Sequence, residues 1–212
     1  MRVQAKICGV STPDALDAAV AGGAAYVGLV CFPPSPRHLD PARLAALARR
    51  LPARVGAVLV LVDPEDALVD ELVRAARPAA VQLHGAETPA RAAALRARHG
   101  VEVWKAVPVR ARADLEAGRA FRGAADRLVY DAKPPPGAKL PGGLGLRFDW
   151  ALLDGHEPPL PWALSGGLDP ANVAEAIRRT GARLVDVSSG VETAPGVKVV
   201  DKIAAFLRAV RS

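Results

Sequence analysis

One dipeptide pattern recurs along the chain, as Thr12-Pro13, Asp40-Pro41, Asp63-Pro64, Thr88-Pro89 and Asp169-Pro170. In each pair, the first side chain can accept a hydrogen bond from the opening turn of a helix. The proline fits the first helical position because no N–H is needed there. The pairs are separated by 28, 23, 25 and 81 residues, and 81 is three times 27. The pattern therefore predicts a helix about every 26 residues, which gives eight units in 212 residues.

Short runs rich in apolar and β-branched residues lie between these helices and predict strands. Their apolar residues are continuous rather than alternating, which indicates burial on both faces, as in a parallel sheet. We expect eight strands, within residues 3–9, 26–32, 55–62, 80–84, 103–107, 128–131, 160–164 and 184–187.

Eight strand-helix units favour an α/β fold of the TIM barrel type, a closed (β/α)8 barrel with a parallel eight-stranded core. We expect one such domain over residues 1–212. The alternative is an open doubly wound sheet, which for a dinucleotide carries a glycine fingerprint directly after its first strand. Ile7-Cys8-Gly9-Val10-Ser11 is not such a fingerprint, so the closed barrel is the stronger prediction.

The composition excludes several classes of protein. Hydrophobic residues make up 50% of the chain and charged residues 24%, which is typical of a globular protein rather than a disordered or fibrous one. No apolar run approaches the ~20 residues that span a bilayer. Residues 1–11 also lack the apolar segment of a secretory signal. We therefore expect a cytoplasmic protein with no membrane partner.

The net charge of +6, from 28 basic and 22 acidic residues, raises the question of an anionic partner. Most arginines fall on the predicted outer faces of helices, without a basic patch interleaved with aromatic residues, so we expect no nucleic-acid partner. The two cysteines, Cys8 and Cys31, are too few for a disulfide framework, and we expect them to be free thiols.

A series of polar residues falls at the carboxyl ends of the predicted strands, where barrels of this kind build their sites. Closure of the barrel would gather these residues around one mouth. They are Lys6, Cys8, Arg37, Asp63, Gln82, His84, Lys105, Asp131, Lys133, Ser165, Asp186, Ser188 and Ser189.

Two glycine-containing turns follow the seventh and eighth strands, as Ser165-Gly166-Gly167-Leu168 and Ser188-Ser189-Gly190-Val191. Barrels often bind phosphate at these two turns through backbone N–H groups, and glycine lets the main chain approach the anion closely. Each turn alone is equally compatible with an ordinary tight connection. Two on adjacent strands favour a phosphate site.

Cys8 and Asp131 are the candidates for acid-base chemistry. Lys6 and Cys8 face the same side of the first strand because side chains alternate. A cation such as Lys6, or a helix N-terminus, can lower the pKa of a thiol until it is a usable base; otherwise Cys8 is a small buried hydrophobe. Asp131 ends a buried strand, where a carboxylate is costly unless the site uses it or a salt bridge to Lys133 or Lys6 pairs it.

Three further features border the expected mouth. Arg37 follows the proline-stiffened segment Pro33-Pro34-Ser35-Pro36 and can hold a guanidinium fork against a carboxylate, or be a plain surface arginine. His84 is either a polar lining group or a histidine hydrogen-bonded in the rim. Residues 134–145 directly follow the Asp131 strand and either close over the site or form a surface loop.

An ordered set of motifs runs from Lys6 to about Phe206. It comprises Lys6-Ile7-Cys8-Gly9, Ser35-Pro36-Arg37, Val81-Gln82-Leu83-His84-Gly85, Asp131 with Gly142-Gly143 and Phe148-Asp149-Trp150 downstream, Ser165-Gly166-Gly167-Leu168 with Pro170 and Asn172-Val173, and Asp186-Val187-Ser188-Ser189-Gly190-Val191-Glu192 with Pro195-Gly196-Val197-Lys198. In this order the set resembles the phosphoribosylanthranilate isomerase family of tryptophan biosynthesis. Each motif is weak alone, but the ordered set is highly specific.

The resemblance implies an Amadori rearrangement of N-(5'-phosphoribosyl)anthranilate to 1-(2-carboxyphenylamino)-1-deoxyribulose 5-phosphate, without metal or organic cofactor. At matching positions it implies Cys8 as general base, Asp131 as general acid and Arg37 as the group that binds the anthranilate carboxylate. His84 and Asp186 match positions that line the substrate pocket. The phosphate would contact backbone groups of Gly166, Gly167, Ser189 and Gly190.

The sequence departs from the family pattern at three positions. Leu144 stands where the family usually has the threonine of Gly-Gly-Thr-Gly, so the loop beside the site loses a hydroxyl. Ser165 replaces a common alanine, and Val199 stands where an acidic residue often follows the lysine that matches Lys198. None of these changes removes the proposed acid or base.

Other functions remain open at this point. The related sugar isomerase of histidine biosynthesis rearranges a two-phosphate substrate, but it has an aspartate where Cys8 stands and needs a second phosphate site. A bifunctional isomerase is a variant of that alternative. A non-catalytic phosphosugar-binding barrel would need neither Cys8 nor Asp131. The expected partner is a small phosphorylated substrate, and a monomer and a homodimer are equally compatible with the sequence.

Overall fold

Eight parallel strands close into a barrel in the order in which they occur along the chain. The computed structural model describes residues 2–138 and 140–211. Strand β1 pairs with β2 on one side and with β8 on the other, which closes the ring and confirms the predicted fold class. The strands are β1 (Gln4–Cys8), β2 (Tyr26–Val30), β3 (Gly56–Leu61), β4 (Ala80–Leu83), β5 (Glu102–Val109), β6 (Arg127–Ala132), β7 (Trp162–Leu164) and β8 (Leu184–Val187).

Helical segments connect the strands on the outside of the barrel. The α-helices are α1 (Pro13–Ala21), α2 (Pro41–Ala48), α3 (Asp66–Ala76), α4 (Pro89–His99), α5 (Val173–Thr180) and α6 (Val200–Ala209). The connections after β5 and β6 instead contain 3₁₀ helices, at Arg112–Phe121 and Trp150–Leu153. After β8, a 3₁₀ turn at Ser189–Val191 leads into an antiparallel hairpin of β9 (Glu192–Ala194) and β10 (Val197–Lys198).

Three of the five helix-starting dipeptides act as predicted. In each, the side chain accepts a hydrogen bond from the backbone N–H three residues later, and proline occupies the first turn. These N-cap residues are Thr12, Asp40 and Thr88.

The other two dipeptides do not begin helices directly, so that part of the prediction was wrong. Asp63 adopts a left-handed conformation with φ 44°, and its carboxylate accepts a hydrogen bond from the backbone of Ala86. Helix α3 begins three residues later, at Asp66. Asp169 accepts from the backbone of the two residues that follow its proline, in a turn that delays α5 until Val173. In both cases a short polar side chain satisfies non-helical backbone groups instead.

The core has two layers separated by the barrel wall. Between strands and helices lies a large apolar layer that includes Leu16, Leu44 and Phe206. Inside the barrel, a second apolar layer contains Val58, Trp104 and residues near the start of several strands. Close to the mouth, a small cluster of Cys8, Val30 and Val60 packs with Phe32. Within residues 2–138 and 140–211, no helix is long and apolar enough to cross a membrane.

Candidate active site

A cavity of about 830 Å³, counting its open mouth, lies at the carboxyl ends of the strands. The candidate Gly190 is not among the residues that line this cavity, and a Cβ added to it would be 1.9 Å from the carbonyl oxygen of Leu168. Barrel closure thus brings together residues that are far apart in the sequence. The candidate residues that line the cavity are Cys8, Arg37, His84, Asp131, Gly166, Gly167, Asp186 and Ser189.

Cys8 ends β1 with its side chain inside the barrel. Gly28 of β2 is its register partner, and a Cβ on Gly28 would lie 2.8 Å from Sγ of Cys8 and 3.1 Å from Cε of Lys6. Lys6 and Cys8 therefore share one face of β1, as the alternation predicted. Nothing in the sequence singles out Gly28, whose missing side chain leaves room for the thiol.

Lys6 and Asp186 form a buried ion pair beside Cys8. Nζ of Lys6 donates to Oδ1 of Asp186 at 3.0 Å, and the two side chains are 1% and 6% exposed. Oγ of Ser165 donates to the second oxygen of Asp186 at 3.4 Å. The hydroxyl that Ser165 adds relative to the family's common alanine therefore has a hydrogen-bond partner.

Burial raises the pKa of the Cys8 thiol above its ordinary value, and the negative charge of Asp186 adds to the increase. The positive charges of Lys6 and Lys198 act in the opposite direction but do not outweigh burial. Lys6 acts to lower the pKa of Cys8, as expected from the sequence. The net pKa is nevertheless raised, because the free-energy cost of burying a thiolate exceeds the stabilisation that the two lysines provide.

Asp131 lies in β6, next to the last residue of the strand. Its Oδ1 accepts a hydrogen bond from the backbone of Ala132 at 2.9 Å, and its Oδ2 lies 3.2 Å from Nε2 of His84. Nδ1 of His84 is in turn 3.0 Å from Nε2 of the buried Gln82. His84 is therefore held between a side chain inside the barrel and the candidate acid.

Neither of the alternative salt bridges for Asp131 forms. Nζ of Lys133 lies 3.0 Å from Asp114 on the outer surface. Lys6 is occupied by Asp186. Asp131 therefore remains a cavity-lining carboxyl group with a histidine as its neighbour.

Arg37 is built into the cavity wall rather than extended into solvent. Its Nε and Nη2 donate to the two carboxylate oxygens of Glu192, at 2.8 and 2.7 Å, and Nη2 also donates to the carbonyl of Gly143 at 3.1 Å. Its alkyl chain covers Gly9, where a Cβ would lie 2.4 Å from Cδ of Arg37. Glu192 lies in one of the family motifs, but no role was predicted for it from the sequence.

The two glycine turns present free backbone donors. Gly166 and Gly167 have φ values of 86° and 60°, which other residues adopt only with strain. Within the described part of the chain, the N–H groups of Gly166, Gly167, Ser189 and Gly190 have no hydrogen-bond acceptor. Free N–H groups from two adjacent turns are suited to binding an anion.

The segment after β6 lies over the cavity. Residues 140–146 line it, and a Cβ on Gly142 would lie 2.6 Å from Nε2 of His84. Leu144, the departure from the family pattern, lines the cavity while 42% exposed. Lys139, part of the predicted loop 134–145, lies outside the described residues.

Comparisons with known proteins give one consistent result. The sequence matches the family model PRAI, N-(5'phosphoribosyl)anthranilate (PRA) isomerase, over residues 5–209. The N-(5'-phosphoribosyl)anthranilate isomerase of Paramagnetospirillum magneticum is 53% identical over 211 residues, which cover 100% of this chain and 98% of the relative.

Solved structures agree with the sequence matches. The phosphoribosyl anthranilate isomerase of Thermotoga maritima is similar with a TM-score of 0.88 at 33% identity, covering 98% of each chain. Another similar structure is a phosphoribosyl anthranilate isomerase in complex with reduced 1-(o-carboxyphenylamino)-1-deoxyribulose 5-phosphate. It has a TM-score of 0.86 at 32% identity and again covers 98% of each chain.

Proposed function

The chain belongs to the N-(5'-phosphoribosyl)anthranilate isomerase family, and on that premise we propose that Cys8 is the general base and Asp131 the general acid of its reaction. The chain isomerises N-(5'-phosphoribosyl)anthranilate in tryptophan biosynthesis. The observation that supports the residue assignment is that both groups line one cavity, together with Arg37 and the glycine turns. The histidine-pathway and binding-protein alternatives are not favoured, because the family match covers residues 5–209.

The ends of the substrate fix its orientation in this proposal. The anthranilate carboxylate binds Arg37, and the aromatic ring lies against the apolar wall of Val30, Phe32 and Val60. The phosphate binds the free N–H groups of the turns at 166–167 and 189–190. The ribose then lies between them, beside Cys8 and Asp131. His84 and Asp186 border the same space.

The first step opens the ribose ring. Asp131 donates its proton to the ring oxygen, the bond from that oxygen to C1' breaks, and the nitrogen lone pair forms an iminium with C1'. The positive charge makes the proton on C2' acidic. Cys8, as thiolate, removes that proton, and the electrons of the C–H bond form the C1'–C2' double bond while the nitrogen becomes neutral. The enol-amine then tautomerises to the ketone, so one acid and one base suffice.

The substrate itself favours the reactive form of Cys8. Burial raises the pKa of the free thiol, so little thiolate forms without an added positive charge. The iminium supplies that charge next to Cys8 at the step where the base is needed. Lys6 and Lys198 assist in the same direction.

The remaining expectations are parts of the same proposal. We infer one domain over residues 1–212, since the closing pair β1–β8 joins the first and last strands of the barrel. A phosphorylated, water-soluble substrate supports a cytoplasmic location. That the reaction uses no metal or organic cofactor, and that the chain acts as a monomer or a homodimer, stay predictions.

The test is turnover of N-(5'-phosphoribosyl)anthranilate generated in situ, followed by the loss of its fluorescence. We expect Cys8→Ala and Asp131→Asn to lower kcat by about 10²- to 10⁴-fold, the usual contribution of a general acid or base. Both variants should still bind a reduced product analogue with near wild-type affinity. Near-normal turnover in either variant would remove that residue from the mechanism. Wild-type activity only on the two-phosphate substrate of histidine biosynthesis would overturn the substrate assignment.

A further inference from the structure

We propose that Glu192 is a positioning residue that makes the site specific for an aromatic amine bearing a carboxylate, because it orients Arg37 so that one nitrogen of the guanidinium is left to bind. This inference rests on the proposed contact between Arg37 and the anthranilate carboxylate. It concerns how that contact is prepared before the substrate arrives.

The hydrogen bonds of Arg37 show which donors are left. A guanidinium has five N–H donors. Nε–H and one Nη2–H go to Glu192 at 2.8 and 2.7 Å, and Nη2 also reaches the carbonyl of Gly143 at 3.1 Å. Among residues 2–138 and 140–211, Nη1 has no acceptor, so its two N–H groups are the part of Arg37 available to a ligand.

Nη1 lies at the edge of the cavity, beneath the segment that follows β6. A Cβ on Gly143 would lie 2.7 Å from Nη1, and Gly143 has a φ of 72°, which favours glycine. Arg37, Gly143 and Leu144 all line the cavity. A carboxylate in this part of the cavity can bind the two N–H groups of Nη1. It cannot bind the bidentate pair of Nε and Nη2, because these two nitrogens already donate to Glu192.

Glu192 is itself rigidly held, which makes it suitable for this task. Its side chain is 3% exposed, Nζ of Lys198 donates to Oε1 at 2.6 Å, and the backbone of Gly196 donates to Oε2 at 3.2 Å. Burial acts to raise the pKa of Glu192, but Arg37 and Lys198 outweigh it and hold that pKa below its ordinary value. Glu192 is therefore a fixed carboxylate at neutral pH.

The elements that carry the two residues also pack directly together. Glu192 begins β9, and a Cβ on Gly196, in the turn of the β9–β10 hairpin, would lie 2.6 Å from the carbonyl oxygen of Pro36. The backbone N–H of Arg37 donates to Oγ of Ser35 at 3.2 Å. Both ends of the Arg37–Glu192 pair are thus anchored, so the direction of Nη1 is set by the fold.

Specificity follows from the energetics of an unpaired donor. A site that holds buried donors for a particular group strongly disfavours a ligand that lacks it. If the Arg37 side chain could rotate, its N–H groups could form hydrogen bonds with water or with other protein groups. The free-energy cost of binding a ligand without the carboxylate would then be smaller. Loss of Glu192 is therefore expected to reduce the preference for a ligand with the carboxylate over one without it. The affinity for the rest of the substrate should change less.

The experiment compares two stable ligands that differ only in the carboxylate. Reductive amination of ribose 5-phosphate with anthranilate or with aniline gives 1-arylamino-1-deoxyribitol 5-phosphates with and without that group. Calorimetric titration measures the Kd of each. In the wild type we expect the carboxylated ligand to bind about 10- to 100-fold more tightly, as one charge-assisted contact would give. In Glu192→Gln we expect this ratio to fall severalfold or more, with a smaller change in the Kd of the aniline ligand.

Glu87→Gln is the matched control. Glu87 is also a buried carboxylate near the mouth, paired with Lys105 at 2.8 Å and accepting from the backbone of Gly85, but it has no contact with Arg37. Its loss breaks a comparable buried pair, so it reports general destabilisation. We expect the ratio of the two Kd values to stay at the wild-type value in this variant. A fall equal to that in Glu192→Gln would overturn the proposal.

The outcomes separate the two levels of inference. Equal affinity of the wild type for both ligands would remove the proposed role of Arg37, and this proposal with it. Discrimination that is strong in the wild type and unchanged in Glu192→Gln would overturn the role of Glu192 alone. If that variant does not fold, Glu192→Asp keeps the charge beside Lys198 but is one methylene too short to span both nitrogens of Arg37. An unchanged ratio in Glu192→Asp would then contradict the proposal, and a reduced one would support it.

Discussion

Cys8 and Asp131 line the same cavity but have very different electrostatic surroundings. Burial and the negative charge of Asp186 raise the pKa of Cys8, while the positive charges of Lys6 and Lys198 act to lower it. Asp131 lies 3.2 Å from His84 and accepts a hydrogen bond from the backbone N–H of Ala132. The side of the mouth near Cys8 is thus an ionic network, and the side near Asp131 is a short row of contacts from Asp131 through His84 to Gln82.

The difference indicates that the fold controls the proposed base and the proposed acid in separate ways. The charges that act on the proposed base, Cys8, are held in place by ion pairs, so disturbing them also disturbs stability. The proposed acid, Asp131, instead has the imidazole of His84 at 3.2 Å, and both side chains line the open cavity. Changes near Cys8 are therefore expected to affect folding, and changes near Asp131 to affect mainly catalysis.

The largest expected effect comes from breaking the ionic network. Lys6→Met leaves Asp186 buried without its partner, which should lower the free energy of unfolding by about 3–5 kcal/mol. Urea denaturation measures this. The double variant Lys6→Met, Asp186→Asn should regain part of the loss, because it removes the unpaired charge. A single variant as stable as the wild type would show that the pair contributes little to the fold.

A smaller effect, on rate rather than stability, is expected on the acid side. His84→Asn replaces the imidazole beside Asp131 with a shorter, neutral side chain and breaks no buried Lys–Asp ion pair. We expect kcat to fall about tenfold, the equivalent of one lost hydrogen bond at ~1.4 kcal/mol. The urea midpoint should stay close to that of the wild type, in contrast to Lys6→Met. Destabilisation as large as that of Lys6→Met would break the comparison between the two sides.

The smallest effect is a shift in the titration of the thiol. The pKa of Cys8 is raised in the folded protein, so alkylation by iodoacetamide should reach its midpoint at higher pH than in urea-unfolded protein. Asp186→Asn should move the folded midpoint down, because the charge of Asp186 raises this pKa. Measurements use a Cys31→Ala background, since Cys31 is a second thiol, whose pKa burial raises to about 12. His84→Asn is the control and should leave the midpoint of alkylation unchanged. A shift in that variant, or an upward shift in Asp186→Asn, would contradict the assignment of Asp186 as the charge that raises the pKa of Cys8.

Several residues of the site could be predicted from the sequence, but most of their partners could not. Asp131 became a candidate because a carboxylate at the end of a buried apolar strand needs a reason to exist. Cys8 was also compatible with a small buried hydrophobe, and the family resemblance is what implied its role as base. The alternation of β1 correctly placed Lys6 beside Cys8. The partners were not predictable in the same way: Asp186 was expected only as a lining residue, and Lys133, considered for Asp131, binds Asp114 instead.

Glu192 and the net pKa of Cys8 illustrate two kinds of failure. Glu192 was visible in a family motif, but nothing local to it points to Arg37, which is 155 residues away. The sign of the Cys8 shift depends on how much water surrounds the thiol, and burial is a property of the assembled barrel. The error at Asp63 was different. Asp63-Pro64 predicted the start of a helix, but the carboxylate of Asp63 instead accepts a hydrogen bond from the backbone of Ala86 in another loop.

The sequence by itself determined the eight strands, most of the helices between them and the polar residues that end the strands. Those features are encoded in contacts between residues a few positions apart, where capping and periodicity act. Only the tertiary structure decided which charges pair: Lys6 with Asp186 across 180 residues, and Arg37 with Glu192. Closure of the barrel sets those distances and excludes water from them. The electrostatics of the site therefore exist only in the folded chain.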